Sequence, residues 1–258
     1  MKNPNFNIQY KRKLLYKRKR KRQLIFILSI LLISISIISL TLQLNKKSYI
    51  NNKVTLVNER KIIVCIDPGH GDWDIGAKSL SGYLEKDIVL DISLKLGKLL
   101  QDNNVKVVYT RTNDSLPWLD NANDSLKERI KISEVLKADL FISIHGNIDN
   151  QNKDSKGVET WYKANDSNRE NLALTIQDSL INLNYTENRK IKTYDNKEDA
   201  LAVLELNSGI PALLELGFLS NSSDERYLTS EEGQKAISIA IKNAILSYIE
   251  ENKEILIK

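Results

Sequence analysis

From residue 61 to residue 252, short β-branched apolar runs alternate with amphipathic stretches, which predicts one α/β domain. The expected architecture is an open, mostly parallel twisted sheet with helices on both faces. Two further observations support it. The runs Ile62–Ile66 and Ala212–Leu214 are continuously apolar and Leu140–Ile144 is broken only by Ser143, as in strands covered on both sides. Each of these runs leads into polar or glycine-containing sequence, where open α/β sheets gather their chemistry.

The elements follow in order. Residues 61–67 form the first strand. A helix starts near Glu85, with Ile88, Val89, Ile92, Leu96, Leu99 and Leu100 on one face. Val105 to Thr110 is the second strand, followed by a loop that holds Pro117 and Trp118. Asp124 or Ser125 caps a helix that runs to about Lys137, with Ile130, Val135 and Leu136 inward. Ala138 to His145 is the third strand, and Gly157 to Tyr162 is an edge strand or hairpin. A helix covers about 167–183. Ala202 to Leu206 is a short strand, and Ala212 to Glu215 a buried one that ends at Gly217. The last helix spans about Glu231 to Asn252. The domain contains no internal repeat and no low-complexity tract.

The amino terminus stands apart. Ten of the 38 lysines and arginines, and none of the 33 acids, lie in residues 1–22. The remainder therefore holds 28 bases against 33 acids, a net charge of −5, although the whole chain is +5. The positive charge belongs to a tail, which removes the main support for nucleic-acid binding by the domain. Leu24 to Leu42 follows as 19 apolar or hydroxyl residues without a charge. As a helix it is about 28 Å long, close to the thickness of a bilayer core. It exceeds the usual apolar run of a cleaved leader, and Gln43-Leu44-Asn45-Lys46-Lys47 offers no small-residue cleavage site. The expected organisation is a basic cytoplasmic tail (1–23), a transmembrane signal anchor (24–42), a linker (43–60) and a catalytic domain (61–252). The positive-inside rule places that domain outside the cell membrane, on a single-pass protein. Cys65, the one cysteine, lies within an apolar strand and reads as a buried, inert thiol.

The chain has two histidines, and each closes a strand-like run. His70 ends Asp67-Pro68-Gly69-His70, and His145 ends Ser143-Ile144-His145. Two imidazoles delivered by separate strands to one sheet edge are natural ligands for one metal. Flanking Gly69, Gly71 and Gly146 permit sharp turns and close approach. Hydrolytic zinc sites take three protein ligands and leave a position for water. Glu85, at a helix start, is a candidate third ligand, though acids also favour such positions for dipole reasons. Glu215 follows a buried apolar run, where a carboxylate is costly unless paired. It is either a fourth ligand or the general base that accepts a proton from water. Asp67, Arg111 and Asn147 either support the ligands or serve turn and strand-end hydrogen bonding.

The stretches Ile66-Asp67-Pro68-Gly69-His70-Gly71, Gly76-Ala77, Glu85-Lys86, Tyr109-Thr110-Arg111, Ala138–Asn147, Gly157-Val158-Glu159-Thr160 and Pro211–Asn221 occur in one order across about 61–250. In that order the chain resembles the zinc-dependent N-acetylmuramoyl-L-alanine amidases, the bacterial amidase type 3 family. The resemblance implies a mixed α/β fold with one catalytic Zn2+. Its ligands fall on His70, Glu85 and His145, and its catalytic carboxylate on Glu215. The implied reaction is hydrolysis of the amide between N-acetylmuramic acid and L-alanine of the peptidoglycan stem peptide. The expected partners are peptidoglycan, the cytoplasmic membrane and an activating protein, with no nucleic acid. Two positions depart from the family: Gly146 stands where alanine is frequent, and Asp72 where a third glycine is common. The segment between His145 and Gly157 is short and leaves little room for the inhibitory helix that some members of the family carry there. Two alternative functions remain at this level, a zinc peptidase acting within the stem peptide and a membrane-tethered wall-binding module.

Overall fold

Ile63–Pro68 forms strand β1, and all six of its residues are buried. The computed structural model describes residues 36–43, 60–118, 121–194 and 201–256. Helix α1 (Glu85–Asp102), strand β2 (Lys106–Tyr109), helix α2 (Ala122–Val135) and strand β3 (Leu140–Asn147) follow. Next come β4 (Val158–Trp161), α3 (Ser167–Ile181), β5 (Asn188–Lys192) and α4 (Ala202–Glu205). The chain ends through β6 (Ile210–Phe218), α5 (Ser222–Thr229), α6 (Glu231–Glu251) and α7 (Lys253–Leu256).

The six strands form one sheet in the order β2-β1-β3-β6-β4-β5. The first four are mutually parallel. β4 runs antiparallel to β6, and β5 runs parallel to β4. Side chains alternate between the faces of a strand, and here the two faces are covered unequally. Val64, Ile66, Ile142, Ile144, Ala212 and Leu214 pack with Ile92 and Leu96 of α1, Leu172 and Ile176 of α3, and Ile237 and Ile241 of α6. On the opposite face Ile63, Cys65, Phe141 and Leu213 form a smaller cluster with Ala138, Ile130 of α2 and Val203 and Leu204 of α4, and Trp161, Tyr194 and Leu201 are partly buried against it.

Several expectations are corrected. Residues 202–206 form a one-turn helix rather than a strand, because a five-residue apolar segment has no distinguishing period. Residues 157–162 do not form the sheet edge: β4 lies between β6 and β5, and the lysine- and arginine-rich β5 is the edge. Asn121 caps α2 by accepting the Asp124 N–H, in place of Asp124 or Ser125. Ile130 is inward as expected, but Val135 is 71 % exposed and Leu136 also faces solvent. Helix α5 had no counterpart in the sequence reading. Of the expected anchor 24–42, only 36–42 falls among the described residues, where it is helical. Among the described residues no helix is long and apolar enough to cross a membrane. The tail 1–23 and nearly all of the linker lie outside them.

Ile142 is fully buried at the centre of the larger core. Ile142→Ala is expected to cost about 2–5 kcal/mol. Denaturant unfolding should show this as a lower midpoint at unchanged slope. Val135→Ala should stay within about 0.5 kcal/mol of the parent.

Candidate metal centre

Asp67 and His70 leave the end of β1 into a turn that the sheet alone cannot hold. His70 adopts φ 60° and Asp72 φ 52°, both in the left-handed region that costs a residue with a Cβ. Two arginines bind the backbone of this turn. Arg111 donates from Nε to the Pro68 carbonyl (3.0 Å) and from Nη2 to the Gly69 and Lys86 carbonyls (both 2.7 Å). Arg129 of α2 donates from Nη1 to Asp67 Oδ1 (2.7 Å) and the Pro68 carbonyl (2.8 Å), and from Nη2 to the His70 carbonyl. Asp67 also accepts from Thr110 Oγ1 (2.6 Å) and Ser143 Oγ (2.7 Å). Burial by itself would raise the Asp67 carboxyl. Arg129 and these hydrogen bonds outweigh it and hold the group below the ordinary carboxylate range. Burial, followed by the charge of Arg129, pushes Arg111 down to about 10. Lys86 completes the clamp by donating from Nζ to the Asp72 carbonyl (3.0 Å) and to Asp114 Oδ2 (2.7 Å).

Glu85 is the first residue of α1, and its carboxylate is oriented by main-chain donors. Oε2 accepts from Ala77 N (2.8 Å) and Oε1 from Gly146 N (3.0 Å). Oε1 also lies 3.0 Å from His70 Nε2 and 3.1 Å from His145 Nδ1, and those two nitrogens are 3.2 Å apart. Burial opposes ionisation of Glu85, but the two imidazoles prevail and hold it well below its usual value. Burial likewise opposes charge on His70, and Glu85 and Asp74 overcome it, raising that imidazole. Asp74 Oδ2 stands 2.9 Å from His70 Nδ1 as an ion-pair contact rather than an aligned hydrogen bond. Gly69 is required here because a Cβ on it would sit 2.3 Å from the His145 ring.

This triangle suits a metal. Two imidazoles and one carboxylate oxygen cannot satisfy three mutual contacts with the protons they carry. At Zn–N and Zn–O distances near 2.0–2.2 Å, tetrahedral ligand atoms stand about 3.3 Å apart, close to the separations seen. His70, Glu85 and His145 form the metal-capable His/Cys/Asp/Glu group among the described residues, with all donor atoms within 4.8 Å.

Glu215 lies one strand over. It is the register partner of His145 on β3 and of Glu159 on β4, so all three side chains share the thinly covered face. Its Oε2 is shielded from solvent and accepts no hydrogen bond among the described residues. Burial, and then the charges of Glu85 and Glu159, push its carboxyl well above the ordinary range. Asn147 donates to Glu159 Oε1 at 3.3 Å rather than to a member of the triangle.

Two adjoining depressions meet at this row, and Leu201 borders both. One, of about 490 Å³, is lined by His70, His145, Asp67, Arg129 and the apolar Leu126 and Leu213. The other, of about 370 Å³, is lined by Glu215, Glu159, Asn147, Trp161, Thr193 and Tyr194. A larger hollow at Pro117 and Trp118 contains none of these groups.

The sheet thus brings together all four residues singled out in the sequence, and it adds Arg129, Lys86 and Asp74. No sequence cue identified Arg129, whose partner Asp67 lies 62 residues away. The departures from the family also acquire a setting. Asp72 occupies left-handed backbone that a glycine enters without strain, and a Cβ on Gly146 would come within 3.3 Å of Leu219 Cδ1.

A mostly parallel α/β sheet presents two imidazoles and a carboxylate that could hold a metal, with a second carboxylate beside them, an arrangement suited to hydrolysis. The sequence profile described as N-acetylmuramoyl-L-alanine amidase matches residues 64–247, and the chain belongs to that family. The chain is 34 % identical over 190 residues to the uncharacterized protein YqiI of Bacillus subtilis, covering 73 % of this chain and 85 % of that one. Two further curated relatives are longer, and the match spans 38 % and 35 % of their lengths. The N-acetylmuramoyl-L-alanine amidase AmiC2 of Nostoc punctiforme superposes with a TM-score of 0.67 at 31 % identity, covering 75 % of this chain and 99 % of that one. The CwlD amidase of Clostridioides difficile, solved in complex with the GerS lipoprotein, gives 0.66 at 30 % identity, covering 74 % and 100 %.

Arg129→Ala would leave Asp67 buried without its cation and free the backbone of the turn. The expected cost is about 3–5 kcal/mol, measured by calorimetric or denaturant unfolding. Lys127→Ala, which removes an exposed pair on the same helix, should leave the transition unchanged.

Proposed function

We propose that the chain is a membrane-anchored zinc amidase in which His70, Glu85 and His145 hold one Zn2+ and Glu215 is the catalytic carboxylate. Its substrate is peptidoglycan, cleaved at the amide between N-acetylmuramic acid and L-alanine. The observation that carries this reading is the 3.0–3.2 Å triangle of donor atoms beside a buried carboxylate oxygen that has no hydrogen-bond partner among the described residues.

When bound, zinc polarises the scissile carbonyl and lowers the pKa of water toward about 7. The remaining work falls to the chain. Gly146 N and Ala77 N hold the Glu85 carboxylate in place. Arg111 and Arg129 fix the carbonyls of the turn from which His70 projects. Glu215 Oε2, free of hydrogen bonds within the described structure, takes a proton from the attacking water and passes it to the leaving amide nitrogen. A carboxyl raised by burial and neighbouring acids suits that transfer.

The charge-free run 24–42 behind a basic tail supports a location in the cell membrane, with the catalytic domain extracytoplasmic. The CwlD structure with a lipoprotein supports adding an activating protein to the partners proposed here.

His70→Ala should lose both zinc, measured by elemental analysis after gel filtration, and release of stem peptides from peptidoglycan. Glu215→Ala should keep zinc and lose turnover by about 10²–10⁴-fold. Wild-type rates from Glu215→Ala would sink the assignment. Mass spectrometry of the products should find peptides that begin at L-alanine, and peptides cut within the stem would show a peptidase instead.

A further inference from the structure

Past Glu215 the thinly covered face continues across β4 to the edge strand β5, where a cation meets a row of acids. Arg189 Nε donates to Glu159 Oε2 at 2.8 Å, and its guanidinium carbon lies 4.9 Å from the centre of the Phe218 ring. Those contacts hold the fork at one end. Among the described residues, Nη1 and Nη2 donate to nothing, and the side chain is 39 % exposed. Lys192 on the same strand is the register partner of Trp161, which lines the depression of about 370 Å³ together with Glu159 and Glu215.

We propose that Arg189 is a specificity residue that reads a carboxylate on the peptide leaving group, carried by the residue after L-alanine. The inference rests on Glu215 as the proton carrier. A group that hands its proton to the leaving nitrogen must face that nitrogen. The peptide therefore departs on the Glu215 side, into the depression of about 370 Å³ lined by Glu159, Trp161 and Tyr194. The lactyl and sugar portion lies on the His70 and Leu126 side. Facing side chains on paired strands stand about 4.5–5.5 Å apart, and an extended peptide advances about 3.3–3.6 Å per residue. Glu159 lines that depression one strand beyond Glu215, and Arg189, not itself part of the lining, is its ion-pair partner, so the fork stands next to the path proposed for the second peptide residue. Glu159 alone would repel an acidic peptide. Arg189 neutralises it through Nε and keeps its two terminal nitrogens for a planar, bidentate match to a carboxylate.

The test uses the full chain with zinc and two muramyl tripeptides that differ only at the residue after L-alanine, carboxylate in one and carboxamide in the other. The wild type should favour the carboxylate about tenfold in kcat/KM, mostly through KM. Arg189→Gln should erase that ratio, and Arg189→Lys should keep part of it. Arg189→Gln strands the buried Glu159, so the double variant Glu159→Gln/Arg189→Gln provides a folded comparison, checked by thermal melting. Binding of the corresponding free tripeptides to the Glu215→Gln protein, by calorimetry, gives a readout independent of turnover. An unchanged ratio in Arg189→Gln, or equal handling of both substrates by the wild type, overturns the proposal while leaving the amidase reading intact. Arg189-dependent binding of the acidic tripeptide without cleavage at L-alanine sinks the amidase reading and supports the carboxylate site.

Discussion

Strand side chains alternate between the faces of a sheet, and the chemistry of this protein depends on that constraint. Helices α1, α3 and α6 cover one face, and the residues of that parity in β1, β3 and β6 are apolar. The opposite parity carries Asp67 and Ser143, then His145, Glu215 and Glu159, along the carboxyl ends of adjoining strands. Helices α2 and α4 cover part of that face, and Arg129 of α2 reaches Asp67 in this row. A one-residue slip of β6 against β3 would turn Glu215 into the aliphatic core and expose Leu214 or Leu216 in its place. Correct packing of the large core and placement of the polar row are therefore the same structural event.

The row alone does not position His70, which lies beyond the last ladder hydrogen bond on left-handed backbone. Buried charge holds it there. Arg129 and Arg111 are nearly inaccessible, and removing guanidinium groups from water carries a large penalty. Asp67 and the carbonyls of Pro68, Gly69 and His70 offset that penalty. The result is a turn whose backbone geometry is set before any ligand arrives. An apolar turn would be cheaper to bury, but it would leave these carbonyls without donors and His70 without a fixed direction.

The strands that build the site were legible because their burial on both faces forces continuous apolar runs, as in β1, β3 and β6. The ligand candidates were legible because two imidazoles and a strand-end carboxylate have no cheap structural use beside glycines. Strand β5 was not: no element was expected between about 183 and 202, Lys190 sits at φ 69°, and the segment is a strand through its pairing with β4. Helix α4 was misread because Ala202–Leu206 is too short to show a period. Val135 and Leu136 were expected inside because α2 was read as running further; it ends at Val135, and both face solvent. Arg129 was invisible because its role is set by contacts with residues about sixty positions away, which no local pattern encodes.

The charges along the open face follow a single logic. Each of three acids has a cationic or proton-bearing partner: Asp67 has Arg129, Glu159 has Arg189, and Glu85 has two imidazoles positioned for a metal. Glu215 has no such partner among the described residues, yet it is flanked by two of those acids and shielded from water. Placing an unpaired negative charge there is unfavourable, so the group has a raised affinity for a proton. The acid left unpaired is therefore the one able to hold and release a proton beside the metal-capable triangle. The cations that quiet its neighbours make this difference possible, since ionised acids on every side would bind a cation instead of leaving one carboxyl to exchange its proton.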